Sequence, residues 1–105
     1  MNSVELKAIG ERISKRRKQL GYTQEQIADK MEVSIQMISN LERGNKAIKI
    51  ENLIKISEIL GVSTDYILTG KHSDKDINTI LNRISQLSDD DYKMIDMLIE
   101  YCLNK

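Results

Sequence analysis

Gln36 and Asn40 stand four positions apart, and each carries an amide that donates and accepts hydrogen bonds at once. On a helix, residues four apart share one face, a single turn from each other. Each amide matches the N6 and N7 edge of adenine, and a short helix of this kind fits a major groove. The surrounding residues predict such a helix. Ser34 is an N-cap, Ile38 and Leu41 point inward, and Gly44 supplies the stop. Gln36, Met37, Ser39, Asn40 and Arg43 are left for the outer surface. Upstream, Thr23 and Gln26 form the S/T-x-x-E/Q capping box of an earlier helix, in which Ile27, Ala28 and Met31 bury one face. Glu32 and Val33 break that helix. Two short helices joined by a tight turn make a helix-turn-helix unit.

The chain that must hold this unit is 105 residues long, which suits one domain plus a small appendage. It has no Trp, Phe or Pro, so its core is aliphatic and the chain is expected to be all-helical. A single Cys excludes an intramolecular disulfide and fits a reducing cytoplasm. No stretch reaches 18 apolar residues and no signal-peptide segment opens the chain, so no membrane span and no secretion are expected. Net charge is zero overall. Residues 1–70 carry eleven basic and nine acidic side chains, a balance of +2, and residues 71–105 carry five and seven. That asymmetry is mild for a nucleic-acid binder. One His, one Cys, no Gly-rich phosphate loop and no paired carboxylates in a cleft leave nothing to carry catalysis, so the chain is read as no enzyme, with no metal and no cofactor.

In order along the chain, residues 4–20 form a first helix with Ile9, Ile13 and Leu20 on one face and Gly21 at its end. The cluster KRRK at 15–18 points in four directions around that helix. At least one member must face inward, and Arg17 shares a face with Ile13. Residues 45–49 make a loop. A fourth helix covers about 50–60 with Leu53, Ile56 and Leu60 inward, and Ile54 and Ile59 at the flanks. Ser63 caps a short fifth helix that Gly70 closes.

The letters T-Q-E-Q-I-A at 23–28, V-S at 33–34, Q-x-I-S at 36–39 and L-E-R-G at 41–44 resemble the helix-turn-helix of the Cro/C1-type repressors, the XRE family. GVSTDYILTG at 61–70 is similar to that family's usual close, so the resemblance covers about residues 4–70. It implies an all-α fold with a five-helix lambda-repressor-like DNA-binding domain over residues 1–70. It implies base reading by Gln36 and Asn40, with Met37 against a thymine methyl. Thr23, Gln24, Arg43 and Lys46 would hold the backbone of double-stranded DNA, and Ser34 and Ser39 complete the set. It further implies that Arg17 pairs with Glu42, locking the first helix to the recognition helix. Three departures stand out. Glu32 occupies a turn position where the family usually has Gly, Ile48 stands where Pro is common, and Ile35 replaces a polar reader.

Residues 71–76 look like a polar linker holding the lone His72. Two capped helices follow, one opened by Ser73 with Ile77, Ile80, Leu81, Ile84 and Leu87 on its stripe, one by Ser88. In the second, Ile95, Leu98, Ile99 and Cys102 hold one face, and Asp89, Asp90 and Asp91 sit where the helix dipole favours negative charge. Residues 71–105 are therefore expected to be a dimerisation hairpin, with Ile84, Leu87, Ile95, Leu98, Ile99 and Cys102 facing a second copy. An N-terminal domain of this kind plus a helical hairpin is similar to the SinR-like biofilm and sporulation regulators of Firmicutes. The sequence thus points to a cytoplasmic, homodimeric DNA-binding regulator, a repressor by resemblance. The alternative is an interaction module that antagonises a related regulator through its C-terminal helices, or an antitoxin.

Overall fold

A computed structural model describes residues 1–72 and 74–105, all of whose regular elements are helices. These are α1 (Ser3–Gln19), α2 (Gln24–Met31), α3 (Ile35–Glu42), α4 (Ile50–Leu60), α5 (Thr64–Thr69), α6 (Asp74–Ser85) and α7 (Asp89–Leu103). The chain divides into two compact units, Met1–Ser73 and Asp74–Lys105.

Short polar residues start four of the five helices of the first unit, α4 being the exception. Asn2 caps α1 by accepting from the Glu5 N–H at 2.9 Å. The α2 box is complete: Thr23 Oγ1 accepts from Gln26 N–H at 3.1 Å, and Gln26 Oε1 accepts from Thr23 N–H at 2.9 Å. Ser34 and Ser63 cap α3 and α5 in the same way. Each such cap contributes about 1 kcal/mol, which matters for helices of eight or six residues that are marginal alone. Between α2 and α3 the chain turns on Glu32, at φ 58 and ψ 43, the one described non-glycine residue with positive φ. The turn that usually takes Gly thus keeps its left-handed geometry with a bulky residue in it. Val33 N–H donating to Ala28 O at 3.0 Å helps to hold it there.

Ile9, Ile13, Ile27, Ala28, Met31, Ile38, Ile56, Leu60 and Ile67 form the core, with Ile48, Leu53 and Ile59 packed against it. Ile48, in the place where Pro is common, is therefore a packing residue. Leu20 departs from the expected inward face. Leu20 is the C-cap of α1 and lies 40% exposed, and Val4 is exposed at the other end.

α1 lies very close on α3. A Cβ on buried Gly10 would meet the carbonyl oxygens of Leu41 and Glu42, so only hydrogen lets the two backbones come so near. Gly44 does the same from the other side, at φ 73, with its absent Cβ 2.6 Å from Lys7 Cα. Arginines tie the remaining helix ends. Arg12 Nη1 donates to Ile67 O at 3.0 Å and Arg16 Nε to Leu60 O at 2.9 Å, satisfying carbonyls at the ends of α5 and α4.

In the second unit α6 begins at Asp74, inside the stretch expected to be linker, and Leu87 lies beyond its end. The N-cap expected at Ser73 falls outside the described residues. Ser88 caps α7 by accepting from Asp91 N–H at 3.3 Å. The pair of helices is open rather than a closed hairpin: they do not pack along their lengths, and no described residue of this unit is buried. Ile84 and Ile95 are half-covered, whereas Leu98 is 54% exposed and Ile99 47%. Cys102 is exposed too. Two amphipathic helices have too few facing positions to cover both stripes.

Gly10→Ala tests the α1–α3 contact. Alanine would gain about 1 kcal/mol of helix propensity, but the clash is with backbone and cannot be relieved by a rotamer. The variant is expected to lose about 2 kcal/mol or more in urea unfolding, while Lys15→Ala, exposed on the same helix, stays near wild type.

Candidate nucleic-acid interface

The position of α3 is set at its last residue. Glu42 Oε2 accepts from Arg17 Nε at 2.7 Å and Oε1 from Arg17 Nη2 at 2.9 Å, a bidentate pair whose side chains are 11% and 5% exposed for Arg17 and Glu42. Arg17 Nη1 also donates to Tyr22 O at 2.9 Å, and Gln24 Nε2 donates to Glu42 Oε1 at 3.1 Å. One carboxylate thus joins α1, the turn after it, α2 and α3. Burial pushes the Glu42 carboxyl up, but the hydrogen bonds from Arg17, Gln24 and Ser14 and the Arg17 charge pull it further down, to below its ordinary value. The Arg17 guanidinium is raised, by its bond to Glu42 against the cost of burial. Within KRRK, then, Arg16 and Arg17 are structural, and only Lys15 and Lys18 are exposed.

Held this way, α3 turns Ile38 and Leu41 into the core and leaves a polar face. Gln36 and Arg43 are exposed, and Met37, Ser39 and Asn40 are half-buried. Asn40 Oδ1 accepts from Gln36 Nε2 at 3.1 Å and from Arg43 Nη2 at 3.1 Å, so three side chains run as one hydrogen-bonded row. Ser34, Gln36, Met37 and Asn40 line a shallow groove together with Lys46, Lys49 and Asn52. Thr23 and Gln24 stand apart from it, at the start of α2. Ser34 and Thr23 use their oxygens as caps, and each keeps a hydroxyl proton for an outside acceptor. Gln24 is half-buried and its amide is already engaged with Glu42. Ile35, at the head of α3, is 48% exposed.

Two residues of the groove escaped the sequence reading. Asn52 is buried and its Nδ2 lies 3.9 Å from Met37 Sδ, so it backs the polar face of α3 from α4. Lys49 is the N-cap of α4 and makes no side-chain cap, leaving the first N–H groups of that helix to solvent or to an anion. A polar residue among apolar neighbours at 52, and a Lys where Ser or Asp would cap, were the available signals. Among the described residues no group of side chains could hold a metal ion, and no helix is long and apolar enough to cross a membrane.

The family model described as helix-turn-helix matches residues 13–67. The chain is 41% identical over 73 residues to the SPbeta prophage-derived HTH-type transcriptional regulator YonR of Bacillus subtilis, covering 70% of this chain and 68% of that one. It is 32% identical over 97 residues to the cryptic phage CTXphi transcriptional repressor RstR of Vibrio cholerae, covering 90% and 87%. Among solved structures it is similar to a chain of the SinR protein/SinI protein complex, with a TM-score of 0.60 at 25% identity over 92% of this chain and 99% of that one.

The node at Glu42 has a signature in acid. A carboxyl held below its unfolded value stabilises the fold fully above that value and loses the contribution as pH falls through the folded one. Wild type is therefore expected to lose stability below about pH 4.5, the ordinary glutamate value. Glu42→Gln should begin less stable at neutral pH and decline less steeply. Arg17→Ala, which strands a buried carboxylate, is expected to cost roughly 3–5 kcal/mol, against almost nothing for Lys18→Ala. Equal melting temperatures for these last two would contradict a stabilising role for the pair.

Proposed function

This chain belongs to the helix-turn-helix family, and from that premise we propose that it is a homodimeric, sequence-specific DNA-binding transcriptional regulator acting as a repressor in the cytoplasm. One observation carries the reading. The row Gln36, Asn40 and Arg43 faces outward from a helix whose opposite side is core, beside Lys46 and Lys49. Such a face suits base edges flanked by phosphates. Thr23, Ser34, Ser39, Lys46 and Lys49 supply donors and charge to the backbone. Gln24 contributes through the amino end of α2, and Met37 offers apolar contact to a thymine methyl. Glu32, exposed at the turn, opposes phosphate and keeps non-specific affinity low.

The open second unit supports dimerisation. Eleven of its large apolar side chains are at least 40% exposed, more than a lone soluble chain ordinarily leaves to water. In a dimer Ile84, Leu87, Ile95, Leu98, Ile99 and Cys102 would be covered by the second copy, setting the half-site spacing. The same surface favours a second reading, in which a related regulator takes that place. A likeness to a chain from a two-protein complex is in keeping with it.

Titration on selected and scrambled duplexes at one salt concentration tests the DNA reading. Gln36→Ala should cost roughly 1–3 kcal/mol on the selected duplex and almost nothing on the scrambled one. Lys46→Ala should weaken both alike and lower the salt slope by about one unit. A wild type that binds neither duplex would leave only the interaction reading. Sedimentation at micromolar concentration addresses assembly: the full chain is expected as a dimer and a chain ending at residue 73 as a folded monomer. A monomeric full chain would contradict the homodimer.

A further inference from the structure

We propose that Arg43 fixes the polarity of the reading face, making Asn40 a donor-only reader of an acceptor edge (guanine N7 and O6, or thymine O4) instead of an adenine reader. The proposal rests on the reading of α3 as the DNA-recognition helix. Its starting point is the chemistry of Arg43. A guanidinium carries N–H donors and no acceptor, so the Asn40 atom 3.1 Å from Arg43 Nη2 has to be the oxygen. That orientation propagates. Gln36 approaches the same Oδ1 at 3.1 Å and must present its nitrogen to it.

The two amides are thereby made unequal. Asn40 Oδ1 has two lone pairs, and Gln36 and Arg43 take both. Only Nδ2, with its two hydrogens, is left to face a base. Gln36 spends one Nε2 hydrogen on the row and keeps Oε1 and a second hydrogen. It therefore retains the acceptor and donor that the N6 and N7 of adenine require, and Asn40 does not. Against Asn40, the N6 amino group of adenine or the N4 amino group of cytosine sets donor against donor. Guanine N7 and O6 offer two acceptors side by side, and thymine O4 offers one. Arg43 is a positioning residue here, acting on base choice through Asn40.

Selection from duplexes randomised across the half-site, at one fixed salt concentration, tests this with wild type, Asn40→Ala, Asn40→Asp, Arg43→Met and Arg43→Lys. The base pair whose preference vanishes in Asn40→Ala belongs to Asn40. Wild type is expected to enrich guanine or thymine there, the enriched base telling which acceptor edge is used, and adenine at the Gln36 position. Arg43→Met frees a lone pair and should admit adenine at the Asn40 position, shifting its ratio to guanine or thymine by roughly tenfold. Arg43→Lys returns a donor to that oxygen and should restore the wild-type preference. Asn40→Asp, with acceptors only, should lose it. Adenine at the Asn40 position in wild type, or an unchanged preference in Arg43→Met or Asn40→Asp, overturns the proposal while leaving α3 as the recognition helix. A wild type that enriches no sequence overturns the recognition-helix reading and this inference with it.

Discussion

The first unit depends on one buried carboxylate. Glu42 ends α3, where the helix dipole is unfavourable to negative charge, and it sits almost wholly out of water. Both costs are offset by the two-pronged Arg17 bond and by Gln24. A buried pair of this kind often contributes little net stability over an apolar substitute, because desolvation consumes much of the Coulomb gain. Its value is direction. A fork-shaped donor accepts a carboxylate in few geometries, so α3 is fixed about its own axis as well as against α1. Rotation of α3 would both open the pair and turn Ile38 out of the core.

Close backbone packing makes that fixation rigid. Gly10 lets α1 lie directly on the last carbonyls of α3, and Gly44 lets the chain leave α3 beside Lys7. The polar face of α3 is then held by backbone contacts and an ion pair, with Asn52 behind Met37 from a third direction. The left-handed Glu32 belongs to the same economy. Residues held in that region cost of order 1–3 kcal/mol and persist where their surroundings over-determine them. Here a capped helix on each side and the Val33 hydrogen bond do so.

The second unit follows the opposite logic. Both its helices have acidic first turns and Ser88 caps α7, yet no described residue of the unit is buried to anchor them. Helices of 12 and 15 residues gain most of their stability from burying an apolar face. One unit therefore supplies its own core, and the other presents the surface of one.

Local features of this protein were legible in the sequence, because their physics is local. Capping boxes, helix-stopping glycines and apolar spacing involve residues three or four apart, and they placed α2, α3, α5 and the start of α7 closely. The outward set on α3 followed from the inward positions of Ile38 and Leu41. Arg17 and Glu42 came from resemblance to a family, since nothing in their spacing joins residues 25 apart. The tertiary structure alone decided what depends on distant partners. Arg12 and Arg16 bond carbonyls 55 and 44 residues away, which no local pattern announces. Gly10, in the middle of a helix, is the place where two backbones touch. The linker proved shorter than its polarity suggested, because Asp74 and Asp76 suit the first turn of α6. Only the fold could reveal that Asn40 turns its oxygen toward Arg43, for composition and spacing name an amide but do not orient it.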